Sequence, residues 1–161
     1  MFKKKYLSTE EALRKLQAYC AFQERCHEEV RTKLIHLNVF GDRLESIIAQ
    51  LIEDDFLNEL RFSKAYVGGK FRIKKWGKIK ISLALKRKKI SEYCIRKALE
   101  SEINDEDYKK TLQGILQKKK PLINDKNDFI IRNKLIQHAR QKGYEYPIIE
   151  QVLQQYIFRT Y

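Results

Sequence analysis

Glycine and proline are both scarce, six and two in 161 residues, and a sheet protein built on many tight turns would use more of them. No apolar run approaches the roughly 18 residues a membrane span needs. Three cysteines, Cys20, Cys26 and Cys94, are an odd number at no zinc-like spacing, and His27, His36 and His138 build no ligand set around them. They read as reduced, structural thiols, and no cofactor is expected. The start, MFKKKYLSTEEAL, has basic residues but no apolar stretch of the kind a secretory signal carries, so a reducing cytoplasm is the expected compartment. Neither GxxxxGK[ST], HExxH nor GxSxG occurs, and no serine stands beside a histidine, so nothing points to an enzyme.

Acid is missing from one region in particular. Residues 61–100 carry 14 basic and 2 acidic side chains, whereas residues 1–60 carry 9 and 11 and residues 101–161 carry 11 and 8. Nearly all of the net charge of +13 therefore sits in forty residues. A surface that only needed solubility would mix signs, so the excess implies an anionic partner. With 43% hydrophobic residues the chain has enough apolar material for a core.

That apolar material recurs at helical spacing. Ser8 with Glu11 forms a capping box before a helix over about 9–22, with Leu13, Leu16 and Cys20 on one face. Cys26, Val30, Leu34 and Leu37 mark a second helix, which Gly41 is expected to end. Asp42 with Glu45 is expected to open a third, striped by Leu44, Ile47, Ile48, Leu51 and Ile52. Asn58 and Ser91 read as N-caps of later helices. After them come Tyr108 to Leu116, then Ile131 to Ala139 before Gly143, then a helix entered through Pro147.

The segment Lys78 to Lys86 strictly alternates polar and apolar residues, which alone is a strand signal. A weak internal repeat argues otherwise. Val30 and Leu34, Ile79 and Leu83, and Ile131 and Leu135 form i, i+4 pairs, each followed by Leu51, Leu99 or Leu153 with an isoleucine four residues before it. The alternating segment thus occupies the place of a helix, with Leu83 expected in the core. The expected fold is all-α, three tandem three-helix repeats forming an elongated, curved molecule, divided at 1–56, 57–103 and 104–161. Such a shape suits lying along a polymer.

The candidate binding residues are the cations of the middle repeat: Lys70, Arg72, Lys74, Lys75, Lys78, Lys80, Lys86, Arg87, Lys88 and Lys89. They could hold phosphates, and the interleaved Phe71 and Trp76 could stack on bases, although apolar residues recurring in a helix are more often packing. The acidic runs Glu53-Asp54-Asp55 and Asp105-Glu106-Asp107, with Asp125 and Asp128, could hold catalytic metals, but the two runs fall at helix junctions, where acids cap the next helix.

From Asp54-Asp55-Phe56-Leu57-Asn58-Glu59-Leu60-Arg61-Phe62 through Gly69-Lys70-Phe71-Arg72 and Lys75-Trp76-Gly77-Lys78-Ile79-Lys80 to Ile90, the chain resembles the RecX family, regulators of the RecA recombinase. The match is most specific in residues 54–99, and the flanking repeats agree with it in helix spacing and periodicity. Gly68, Ser63 and the pair Asn58-Glu59 depart from the family's usual arginine or polar residue, alanine and paired acids. The resemblance implies tandem three-helix repeats, and a protein that lies in the groove of the RecA–DNA filament, restrains its ATPase, strand exchange and coprotease activity in DNA repair and the SOS response, and contacts single- or double-stranded DNA directly. A monomer is expected, with no membrane partner. The rival readings are a sequence-nonspecific DNA-binding protein without a recombinase, a nuclease using the acidic runs, and a peripheral membrane binder.

Overall fold

Ser8 opens the first helix as its spacing predicts, its hydroxyl accepting the Glu11 N–H at 3.1 Å. A computed structural model of the chain describes residues 6–159. The helices are α1 (Thr9–Phe22), α2 (His27–His36), α3 (Gly41–Glu53), α4 (Glu59–Arg72), α5 (Lys78–Arg87), α6 (Glu92–Glu102), α7 (Asp105–Lys119), α8 (Asp128–Gln141) and α9 (Tyr146–Val152). A 3-10 turn follows α7, and a π-turn over Leu153–Ile157 follows α9. No strand occurs among the described residues. Asn58 and Ser91 cap α4 and α6 by accepting the N–H groups of Arg61 and Cys94.

The principal helix contacts all fall within three consecutive triplets, α1–α3, α4–α6 and α7–α9. Each triplet turns from its second to its third helix in the same way. Asn38, Lys89 and Gly143 adopt left-handed backbone, and the next residue, Val39, Ile90 or Tyr144, is buried while its N–H reaches back to the carbonyl of Leu34, Leu85 or Ala139. The repeat is therefore a backbone motif as much as a side-chain pattern. Gly41 does not end α2: Asn38 does that, and Gly41 is the first residue of α3, with φ +58. The expected Asp42–Glu45 capping box is absent too, because Phe40 is the N-cap and Glu45 instead accepts from Arg31.

The alternating segment is helix α5, but its buried face is not the expected one. Ile81 and Leu85 are fully buried, whereas Ile79 and Leu83 are 47% and 49% exposed. Two i, i+4 pairs offset by two residues lie on different faces of one helix, and together they imitate a strand's alternation. Aligning Val30/Leu34 with Ile81/Leu85 and Ile131/Leu135 restores the register. Leu83→Ala therefore removes no core packing.

Repeats meet in two different ways. Between the second and third, the α5 N-terminus has no side-chain cap from its own residues, and its N–H groups are satisfied from the turn after α8 and from α7: Gly77 N–H donates to Lys142 O at 2.8 Å, Ile79 N–H to Gly143 O at 3.0 Å, and Lys78 N–H to the Tyr108 hydroxyl at 3.0 Å. Phe71 of the second repeat meets the Tyr108 ring at 5.9 Å, the Tyr144 hydroxyl donates to Lys75 O at 3.0 Å, and one apolar cluster runs from Phe62 to Leu153 through both repeats. A Cβ on Gly77 would meet Gly143 backbone at 2.3 Å, so this approach requires glycine.

Between the first and second repeats the contacts are ionic. Arg61 pairs with Glu24 at 2.6 Å, Lys88 with Glu29 at 3.3 Å and Lys89 with Glu28 at 3.6 Å. Cys26 is the one buried residue of the first repeat that joins the larger apolar cluster. The accessible surface of 10713 Å² exceeds the roughly 8,500 Å² of a round monomer of 19.3 kDa, as an elongated row of repeats requires.

Candidate nucleic-acid interface

Two helix ends and the connection between them place the ten cations. Lys70 and Arg72 lie in the last turn of α4, Lys74 and Lys75 in the connection, Lys78 and Lys80 at the start of α5, and Lys86 to Lys89 at its end. Cations in the last turn of α4 and of α5 complement the helix dipole, so part of this charge has a local structural use. Lys78 and Lys80 oppose the dipole at the α5 N-terminus, which has no acid in its first turn.

The ten are not equivalent. Arg72 reaches Glu102 at 3.4 Å and Lys78 reaches Asp105 at 3.8 Å, while Lys88 and Lys89 serve the first repeat. Among the described residues Lys74, Lys75, Lys86 and Arg87 form no ion pair, and all four are exposed. Lys70 and Lys80 bracket the Trp76 ring at 4.8 and 4.5 Å, and Lys70 and Lys88 lie over Tyr66 at 5.4 and 6.0 Å. Ammonium groups and rings thus alternate in a ladder, Lys88, Tyr66, Lys70, Trp76, Lys80, held by cation–π attraction. Phe71 is buried in the core and Trp76 is half-buried against it, so neither ring is free to take a base between its faces.

Lys75 and Lys89 sit in left-handed backbone at φ +57 and +59, a conformation that glycine adopts without steric cost. Trp76 N–H and Ile90 N–H close the two turns onto Lys70 O and Leu85 O. Each turn projects a lysine from the point where a helix ends.

The departures from the family pattern have local reasons. Ser63 is fully buried and donates its hydroxyl to Glu59 O at 2.7 Å, Glu59 accepts the Ser91 N–H at 2.8 Å, and Gly68 leaves room for the Arg72 guanidinium to lie across α4. The acidic run Asp105-Glu106-Asp107 occupies the first turn of α7 as expected, but Glu53-Asp54-Asp55 ends α3 rather than opening α4, and only Asp55 reaches forward, to Arg61 at 3.1 Å. Among the described residues no group of three or more His, Cys, Asp or Glu is placed to hold a metal ion, and no helix is long and apolar enough to cross a membrane. All three cysteines are free and buried, and burial pushes the Cys20 and Cys26 thiols above their ordinary range.

Sequence reasoning missed a groove of about 640 Å³ between α5, α6 and the start of α7. Ile95, Leu99 and Ile103 line it, with Lys78, Lys86 and Arg96 among its polar residues. No spacing signal announces it, since the same leucine and isoleucines read as core.

A row of three-helix repeats whose middle member carries exposed cations, some of them without a carboxylate partner, defines the class as a helical-repeat scaffold. Models of the second and third three-helix domains of RecX match residues 58–99 and 105–153. The chain belongs to the RecX family. It is 28% identical over 131 residues to a protein of Clostridium perfringens named regulatory protein RecX, covering 80% of this chain, and 23% identical to a protein of the same name from Prosthecochloris aestuarii, covering 90% of this chain and 93% of that relative. The chain spans about 60% of the length of the clostridial relatives it matches. The crystal structure of RecX from Lactobacillus salivarius superposes with a TM-score of 0.84 at 24% identity, covering 91% of this chain and 95% of that one, and shares the fold.

Proposed function

We propose that the chain regulates the RecA recombinase, mainly as an inhibitor, by lying in the groove of the RecA–DNA filament with its middle repeat against phosphate. The observation that carries this reading is the set of exposed cations without a carboxylate partner, Lys74, Lys75, Lys86 and Arg87, in a chain of the RecX family. Lys70 and Lys80 continue that surface along the ladder, and Arg72, Lys78, Lys88 and Lys89 supply charge already partly compensated. Because Phe71 and Trp76, the rings interleaved with these cations, are packed, the contact with DNA is to its backbone and independent of base sequence. The groove beside Lys86, where Ile95, Leu99 and Ile103 are surrounded by cations and by Glu92, Glu100 and Asp105, offers a protein component of the filament a place to insert side chains. A row of repeats touching several recombinase protomers would block the second strand or hold the filament in a state unfit for hydrolysis, and either route needs stronger binding to one filament state than to another.

The test is the ATPase rate of the host's RecA on single-stranded DNA, titrated with the chain at two salt concentrations beside a naked-DNA binding control. Inhibition well below one chain per recombinase monomer is expected, and K74A/K75G/K86A/R87A should weaken it and flatten its salt dependence with helical content intact. Tight binding to DNA without any effect on the ATPase would instead make this a DNA-binding protein with no recombinase partner.

A further inference from the structure

The two acids at the start of α2 lie against the basic repeat they do not belong to. Glu29 holds the Lys88 ammonium at 3.3 Å and Glu28 holds Lys89 at 3.6 Å, across the junction of the first and second repeats. Open clefts flank that contact on both sides, one of about 360 Å³ beside Tyr19, Cys26 and Arg87, the other of about 480 Å³ beside Glu24, Phe62 and Tyr66. Lys88 lines both clefts, so solvent ions reach the pair from either side. Each acid also has a second cation within its own repeat, Arg25 for Glu29 at 3.7 Å and Arg31 for Glu28 at 4.0 Å. Releasing the two lysines therefore strands neither carboxylate, which removes the main cost of breaking a partly buried ion pair.

We propose that Glu28 and Glu29 are an internal competitor for the anion that the basic repeat binds, a latch that holds the first repeat closed on α5 until phosphate takes Lys88 and Lys89. The proposal rests on the reading of the middle repeat as a phosphate-binding surface. In the free chain the carboxylates occupy Lys88, the end of the ladder, and its neighbour Lys89. When nucleic-acid phosphates arrive, they exchange for the carboxylates at Lys88 and Lys89, and the first repeat is then held by the Arg61 contacts with Glu24 and Asp55 and by the Cys26 contact. Binding and rearrangement of the first repeat are thereby one event. Salt acts on the same latch, because screening over about 8 Å at physiological ionic strength weakens solvent-reached pairs and leaves the apolar junction of the other two repeats untouched.

The experiment compares the wild-type chain with E28Q/E29Q in two arms. In the first, binding to fluorescent oligo(dT) is followed by anisotropy over a range of salt: the variant should bind about fivefold more tightly, as the loss of two solvent-reached ion pairs allows, with a steeper salt slope because rising salt loosens the competing pairs of the wild type and the variant has none to loosen. In the second, small-angle scattering of the free chains at low salt should give the variant the larger maximum dimension, equal to that of the wild type at high salt. Equal affinity and slope in the first arm, or identical scattering in the second, overturns the latch. Absence of any binding to oligo(dT) and to the filament by both chains would remove the phosphate-surface reading, and with it the competition, while identical scattering with binding intact removes the latch alone.

Discussion

The two junctions between repeats join similar modules by opposite means. The second and third repeats share backbone hydrogen bonds, two tyrosine hydroxyls of the third repeat bonded to backbone of the second, and a common apolar core, whereas the first and second share mainly charged side chains. An apolar, backbone-locked contact is indifferent to salt and intolerant of one extra methyl group, while an ionic one yields to salt and tolerates reshaping. The basic surface lies between them, fixed from one side and adjustable from the other.

Substitutions can separate the two. Gly77→Ala forces a Cβ into Gly143 backbone and should cost about 3 kcal/mol in thermal unfolding, whereas Gly69→Ala, where a Cβ meets nothing within 4 Å, should gain up to about 1 kcal/mol as a helix-interior replacement. An equal effect of both would show that the close approach does not matter. Tyr108→Phe deletes the hydroxyl that accepts from Lys78 N–H and donates to Glu145, and a loss of about 2 kcal/mol is expected, read from denaturant midpoints. Arg61→Ala should cost about 1 kcal/mol and raise amide exchange in α1–α3 while α4–α9 stay protected, and uniform exchange would deny the first repeat its separate attachment. The smallest effect belongs to Lys75→Gly, which relieves a left-handed lysine and should leave stability level or up to about 1 kcal/mol higher while weakening oligonucleotide binding. Lost binding in that variant could not be ascribed to unfolding.

How far these features were legible in the sequence depended on how locally they are determined. Ser8, Asn58 and Ser91 act on N–H groups three residues away, and each caps as its spacing says. The end of α2 is decided by Asn38, which tolerates left-handed backbone well enough that the more obvious Gly41 is used elsewhere. The face of α5 could not be chosen from its own residues, because Ile79/Leu83 and Ile81/Leu85 are equally good i, i+4 pairs and only packing against α4 and α6 selects between them. The cap of α5 was not legible at all, since its acceptors belong to Lys142 and Gly143 of another repeat. Among the cations, the charge excess picks out forty residues, but which of them are spoken for depends on Glu28, Glu29, Glu102 and Asp105, all four of which lie outside that segment.

Trp76 is the chain's single tryptophan, and the Lys70 and Lys80 ammoniums sit over its ring. A phosphate that draws either ammonium away alters the electric field across the indole, so the emission wavelength and intensity of the unlabelled protein report occupancy of the ladder. The chain carries its own optical gauge of anion binding at the centre of the surface to be measured, and no dye need be attached to the buried thiols to read it.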